Sequence, residues 1–192
     1  MKLNVIEKVL RRSHMLLATR DRDNDVLWLS DGGVYMPMFG MAGLTMEQIR
    51  ALMGITEEEL DKWTLFEEDR EDTGICLDDY PPEGQTEEAL ERSSVKIVYA
   101  GFCVEPMQTA KGLLFLDEKD LKVFDKYYKN VDLFARFGAD GSVYVAVKEG
   151  MFLKGIISGV PYVVTAELGN ALGYYAAGIK ALLEKAEEAR AE

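Results

Sequence analysis

Residues 131–158 read VDLFARFGADGSVYVAVKEGMFLKGIIS, and this stretch decides the fold. Three short runs are rich in Val, Phe, Tyr and Ile, a composition typical of β-strands. The dipeptides Asp140-Gly141 and Glu149-Gly150 separate the runs, and both are strong signals for tight hairpin turns. The stretch therefore predicts an antiparallel meander with strands at 131–137, 142–148 and 151–158.

A helix precedes this meander, and the same order is found at the beginning of the chain. Asp117 caps a predicted helix over 117–129, which follows a short strand at 113–116. At the N-terminus a helix over 4–12 leads into predicted strands at 14–19, 26–30 and 34–38. The run VLWLSDG at 26–32 parallels YVAVKEG at 144–150. We therefore predict two units, each a helix followed by a three-stranded antiparallel meander.

Two further helical features complete the predicted fold. Capping boxes at Thr45 with Gln48 and at Thr56 with Glu59 predict a pair of short helices between the units. An apolar stripe at helical spacing predicts a long C-terminal helix over about 166–189. The length of 192 residues is that of one domain, so we predict a single α+β domain over 1–192.

The net charge of −12 is confined to one window, at about 57–91. This window, the acidic segment, holds 15 Asp and Glu against two bases, Lys62 and Arg70, so the rest of the chain is close to neutral. Pro81-Pro82 and a low apolar content predict that 67–91 is a solvated, mobile insertion. Such a segment is either a solubilising surface or an acidic face for a basic partner. On the second interpretation the partner-binding residues are Glu57, Glu58, Glu59, Asp61, Glu67, Glu68, Asp69, Glu71, Asp72, Asp78 and Asp79.

Motifs for catalysis, metals and cofactors are missing from the sequence. His14 is the one histidine, which excludes a multi-histidine metal site, and Cys76 and Cys103 are expected to be reduced thiols. The glycines form no phosphate-binding motif. We therefore expect no catalytic residue, no metal ligand and no cofactor. No apolar run reaches the length of a membrane span and no signal peptide is evident, so we expect a cytoplasmic protein without membrane contact.

DNA recognition by the short helix pair is disfavoured by its charge. The second helix would present Glu57, Glu58 and Glu59 to the major groove, where these carboxylates would be repelled by phosphates. Four arginines near the N-terminus form a modest basic end that leaves room for auxiliary nucleic-acid contact. They are Arg11, Arg12, Arg20 and Arg22.

Two resemblances suggest a functional class. The helix-plus-meander unit, used twice, is similar to the half-domain of DNA sliding clamps, and this implies a clamp-like scaffold that oligomerises around DNA. The run KVLRRSHMLLAT at 8–19, with WLSDG at 28–32 and LTMEQ at 44–48, resembles uncharacterised proteins of clostridial prophages and mobile elements. It is also similar to type II anti-CRISPR proteins of such elements, which implies a small host-defence inhibitor and carries over no residue roles.

Three hypotheses follow from the sequence. The first is a non-enzymatic acidic phage or mobile-element protein that binds and inhibits a nucleic-acid-handling enzyme through its basic groove, such as a CRISPR nuclease. The second is the clamp-like homo-oligomeric scaffold. The third is an enzyme with an unrecognised carboxylate site, which requires a concave pocket that holds acids with shifted pKa values.

Overall fold

The computed structural model describes residues 2–138, 141–160, 165–174 and 176, and these form an α+β fold, as predicted. The helices are α1 (Leu3–Ser13), α2 (Met46–Leu52) and α3 (Glu118–Asp125), with 3₁₀ helices at Glu57–Lys62 and Arg70–Asp72. The strands are β1 (Met15–Asp21), β2 (Val26–Ser30), β3 (Val34–Phe39), β4 (Thr64–Asp69), β5 (Glu88–Leu90), β6 (Ile97–Tyr99), β7 (Phe102–Thr109), β8 (Gly112–Asp117), β9 (Asp132–Phe137), β10 (Val143–Glu149) and β11 (Phe152–Ile157).

Both predicted helix-plus-meander units are present and share one sheet. The eight-stranded sheet has the order β4-β1-β2-β3-β11-β10-β9-β5. Strands β1–β3 form one antiparallel meander and β9–β11 the other. The two similar runs noted in the sequence, 26–32 and 144–150, provide β2 and β10, which are the central strands of the two meanders. The repeat seen in the sequence is therefore a repeat in the structure.

The two faces of the sheet bury different side chains because successive residues of a strand point to opposite sides. On the first face Leu16, Val145 and their neighbours pack against α1 and α3. On the second face Leu17, Tyr144 and their neighbours pack against Leu77, which comes from the acidic segment. Burial of both faces explains why β2 reads as an unbroken buried run instead of an alternating one.

A short seam joins the two meanders. Strands β3 and β11 pair only at Tyr35 with Ile156 and Val34 with Ile157. Beside these pairs the backbone of Gly155 approaches closely, since a Cβ placed there would lie 2.6 Å from the carbonyl oxygen of Tyr35 and would overlap the ring of Phe124. The seam and the contact of α3 with the sheet therefore both require the absence of a side chain at 155.

A second, three-stranded sheet, with the order β6-β7-β8, packs beside α3 and was only partly predicted. Of its strands the sequence predicted β8 alone. Val104 and Phe115 on its far side pack against Leu168, which lies in the helical residues 165–174. The rest of the predicted C-terminal helix, to 189, lies outside the described residues, so its full length stays a prediction.

The segment between the meanders differs from its prediction. The first of the paired helices is present as α2, with the Thr45–Gln48 capping box. The second is a 3₁₀ helix of six residues that leads directly into β4, so the pair is not a helix-turn-helix. Residues 67–91, predicted as a solvated insertion, instead contribute to β4 and β5, which form the two edges of the large sheet.

We expect Gly155→Ala to destabilise the protein strongly because the new methyl group would overlap Phe124. The free energy of unfolding, measured with urea, should fall by about 3 kcal/mol. Gly43→Ala is the matched control, since nothing lies within 4 Å of a Cβ at that position. Equal stability of the two variants would show that the seam tolerates a side chain at 155.

Candidate functional site

The acidic segment crosses the second face of the large sheet. Strand β4 pairs in parallel with β1 at one edge, and β5 pairs with β9 at the other. The connection between them, 70–87, carries Leu77, which is buried between residues of both meanders. The segment is therefore part of the core and also the most acidic surface of the chain.

Arg136 of β9 holds this connection in place. The side chain is 1% exposed and uses all five N–H donors of its guanidinium. It donates to the carbonyl oxygens of Cys76, Asp78 and Asp79 at 2.8–3.1 Å, and to Glu87 Oε2 from both Nε and Nη2. Removal of this cation would leave several buried acceptors without donors, which is costly.

Four more contacts hold the same stretch. Lys148, buried on the neighbouring strand β10, forms an ion pair with Glu87 and lies 5.0 Å from the ring centre of Tyr80. Arg70 pairs with Asp78 and, at 2.7 Å, with Asp21. Sequence reasoning missed Arg136 and Lys148 as anchors. The sequence showed only a cation beside apolar residues of a predicted strand, which does not reveal that the cation is buried.

Most of the eleven predicted partner-binding acids have partners within the chain. Glu57 pairs with Arg50, Glu59 with Arg11, Glu67 with Arg20, Asp69 with Arg22 and Asp78 with Arg70, while Glu68 accepts from the hydroxyl of Thr19 and Asp79 from the backbone N–H of Leu153. Several of these pairs are surface pairs, which hold the carboxylates in place more than they stabilise the fold. The four remaining acids are Glu58, Asp61, Glu71 and Asp72.

Those four side chains are exposed at the two ends of β4, with no ion pair among the described residues. Within the described ranges β4 pairs with β1 alone, so its outer backbone edge is open. Phe66 in the middle of the strand is 51% exposed. We call β4 with Glu58, Asp61, Glu71 and Asp72 the acidic edge.

The four arginines predicted for auxiliary nucleic-acid contact lie in different environments. Arg20 is 5% exposed and donates to Glu67 and to the carbonyl oxygen of Ala42. Arg11 and Arg12 each bridge two carboxylates: Arg11 contacts Glu7 and Glu59, and Arg12 contacts Asp31 and Asp120. The fourth, Arg22, keeps 72% of its side chain exposed beside Asp69. Nucleic-acid contact by this group stays a prediction.

A cleft of about 260 Å³ lies at one end of the seam, and we call it the Asp120 cleft. Its wall carries charged groups from both units. They are Arg12 at the end of α1, Asp31 in the β2–β3 turn, which also contributes Gly33, and Asp117 with Asp120 around the start of α3. From the sequence alone only local roles were evident, since Asp31 is a turn residue and Asp117 is a helix cap. The seam brings them together in space.

Asp120 is the unusual group in this cleft. Burial raises the pKa of its carboxyl from 3.8 to about 6; Arg12 opposes the rise, whereas Asp31 and Asp117 add to it. Its Oδ1 lies 3.0 Å from Nη2 of Arg12 but receives no hydrogen bond within the described residues. A buried carboxyl with a pKa near neutrality, in a cleft, is the arrangement found in many functional sites.

A second cleft, of about 230 Å³, lies at the other end of the seam, between Phe39 and Leu153. Its wall includes Trp28 and the carboxylates Asp21 and Asp78. Burial opposes ionisation of Asp21, but hydrogen bonds from Asn24 and the ion pair with Arg70 outweigh it and lower the pKa of Asp21. This acid is therefore fully ionised near neutral pH and already paired.

Two negative findings apply to the described ranges. No group of three His, Cys, Asp or Glu side chains there is placed to hold a metal ion. None of the helices in the same ranges is long and apolar enough to cross a lipid bilayer.

We expect Arg136→Met to release the acidic segment from the sheet. Loss of the guanidinium leaves Oε2 of Glu87 and three carbonyl oxygens without these donors, so the free energy of unfolding should fall by about 4 kcal/mol. Hydrogen exchange of the backbone amides of 76–80 should become faster. Arg22→Met removes an exposed pair and should change stability by no more than about 0.5 kcal/mol. Unchanged exchange in Arg136→Met would contradict the anchoring role.

Asp120 should make stability depend on pH. The folded state keeps this proton up to about pH 6, whereas the unfolded chain releases it near pH 3.8. The protonated carboxyl therefore contributes its full stabilisation below about pH 3.8. The contribution is lost as pH rises through about 6, and it amounts to about 3 kcal/mol. The unfolding free energy of wild type relative to Asp120→Asn should therefore fall by this amount from about pH 4 to about pH 7. Asp61→Asn, at an exposed acid, is the control, and parallel curves for wild type and Asp120→Asn would contradict the assignment.

Comparison of the chain with protein-family models, with curated proteins and with solved structures finds no match.

Proposed function

We propose that this is a non-enzymatic phage or mobile-element protein that acts in the cytoplasm by binding and inhibiting a nucleic-acid-handling enzyme, in the manner of anti-CRISPR proteins. The observation that carries the proposal is the acidic edge. It offers unpaired carboxylates at both ends of an open strand, which suits a partner whose surface is built to bind phosphates.

The dimensions of the acidic edge support this function. Strand β4 has six residues, so at roughly 3.3 Å per residue it is about 20 Å long, and the four acids lie in the 3₁₀ helices that flank it. A basic groove that follows a nucleic-acid backbone presents cations over a comparable length. The half-exposed ring of Phe66 between them provides an apolar contact of the kind that anchors interfaces.

The acidic segment is also preorganised for binding. Arg136 and Lys148 fix its course across the sheet, and the ion pairs of Glu57, Glu67 and Asp69 hold the acids near β4 in defined positions. A partner would therefore not need to order this segment on binding, which lowers the entropic cost of association. Because the free carboxylates are exposed, the association should weaken as salt is added.

The test is capture of partners from a nuclease-treated cell extract, with the purified protein as bait at low and high salt. One variant neutralises the acidic edge by Glu58→Gln, Asp61→Asn, Glu71→Gln and Asp72→Asn. The matched control changes net charge equally at four other exposed acids, by Asp23→Asn, Glu47→Gln, Glu83→Gln and Asp132→Asn. We expect salt-sensitive capture of a basic nucleic-acid enzyme by wild type and control, and at least about tenfold less by the edge variant.

The proposal fails if the edge variant keeps its fold and captures the same enzyme as well as wild type does. It also fails if DNA alone is recovered when nuclease is omitted. Inhibition is then measured directly, by the activity of the captured enzyme with and without the protein.

The clamp-like scaffold remains the second candidate because of one feature of the fold. Helices α1 and α3 lie on the same face of a continuous sheet, and they expose Lys8 on α1 and Lys119 and Lys122 on α3. A ring would require several copies of the chain with this face inward. A strictly monomeric profile in size-exclusion chromatography with light scattering would count against it.

The third candidate, an enzyme with a carboxylate site, is favoured by Asp120. The enzyme hypothesis requires a concave pocket that holds an acid with a shifted pKa, and Asp120, with its raised pKa, lies in such a cleft. No reaction is proposed, because the part of the cleft wall that the structure describes shows no nucleophile with an adjacent base.

A further inference from the structure

We propose that the Asp120 cleft binds a small organic cation, of the class of short-chain primary ammonium ions. The proposal is independent of the acidic edge, which shares no residue with this cleft. It stands on the size of the cavity, on an unfilled acceptor in its wall and on the charge of the groups that face it.

The cavity has room for a ligand of a few carbon atoms. Its volume of about 260 Å³ lies close to the lower limit of small-molecule pockets. Phe102 and Val160 contribute apolar surface to its wall. An alkyl chain can pack on that surface while the ammonium group is turned to Asp120.

The other two carboxylates of the cleft already have their donors. Asp31 accepts from the backbone N–H groups of Gly33 and Val34 and from the guanidinium of Arg12. Asp117 accepts from the backbone N–H of Lys119 and pairs with its ammonium group at 2.9 Å. These two acids therefore shape the cleft and leave Asp120 as the acceptor that is available.

Asp120 itself lacks a hydrogen-bond donor to its Oδ1 within the described residues. It is 4% exposed, and its Oδ1 lies near Nη2 of Arg12, which donates to Asp31 at 2.7 Å. Buried carboxylate oxygens normally receive hydrogen bonds, and their absence is costly. An ammonium group brings three N–H donors and a positive charge, so one ligand atom can satisfy this acceptor.

The charge of the cleft favours a cation over an anion. The groups that face Asp120 are Arg12 from α1, Asp31 from the β2–β3 turn, and Asp117 and Lys119 from α3. With Asp120 ionised, three carboxylates oppose two cations, and a bound monocation neutralises the excess. Because the ligand binds the ionised form, affinity should rise as pH increases through about 6.

The probe is n-butylammonium, and the neutral control is 1-butanol, which has a similar shape and no charge. Binding to the full chain is followed by amide chemical shifts in two-dimensional NMR at pH 7.5, and again at pH 5. We expect saturable shifts at Gly32, Gly33, Lys119 and Asp120 with the ammonium ion at the higher pH, weaker binding at the lower pH, and no saturable shifts with the alcohol.

Two variants locate the site. Asp120→Asn keeps the shape of the neutral carboxyl, which the buried site favours, and should weaken binding about tenfold or more. Asp23→Asn, at an exposed acid outside both the cleft and the acidic edge, should bind as wild type does. If Asp120→Asn does not fold, Gly33→Ala serves instead, since a Cβ at 33 would lie 3.3 Å from Oδ2 of Asp120 and narrow the cleft. Equal shifts with 1-butanol would overturn the proposal. So would unchanged affinity for n-butylammonium in Asp120→Asn, or in Gly33→Ala where that variant replaces it.

Discussion

The pairing of β3 with β11 is the contact on which the rest of the structure depends. It consists of two residue pairs, at Tyr35 and Val34, and it converts two separate meanders into one eight-stranded sheet. Gly155 makes it possible by leaving space for the ring of Phe124. The two clefts, with Asp120 and Trp28 in their walls, lie at the two ends of this short seam.

The acidic segment contributes to the stability of the core. Its backbone carbonyls and Glu87 satisfy two buried cations, Arg136 and Lys148, which would otherwise be costly in the core. The acids that form no ion pair within the described ranges lie in the short helices that flank β4. On the function proposed above, the interior contacts determine where these acids lie, whereas a solubilising loop would need only that they be exposed.

The parts of the fold that were predictable are those with local signals. Runs rich in β-forming residues and the Asp-Gly and Glu-Gly turns located β9–β11, and the similar run at 26–32 located β2. Strand β4 reads TLFEED and lacks alternation, so its charge outweighed its strand character, and β5 and β6 are only three residues long. The Asp120 cleft was not predictable because Arg12, Asp31 and Asp120 are far apart in sequence, and only the seam brings them together. The acidic segment was predicted from composition, but its anchors were not, since a buried cation is recognised only from its burial.

The course of the 70–87 connection has a consequence for how the molecule unfolds. It begins at one edge strand and ends at the other, so it spans eight strands, or roughly 34 Å at about 4.8 Å per strand. It contacts both meanders on the way, through Arg70 with Asp21 in the first and through Arg136 in the second. Opening of either meander therefore releases contacts that belong to the other. We expect the two halves of this internally repeated fold to lose structure together, in one cooperative transition, despite the short seam that joins them.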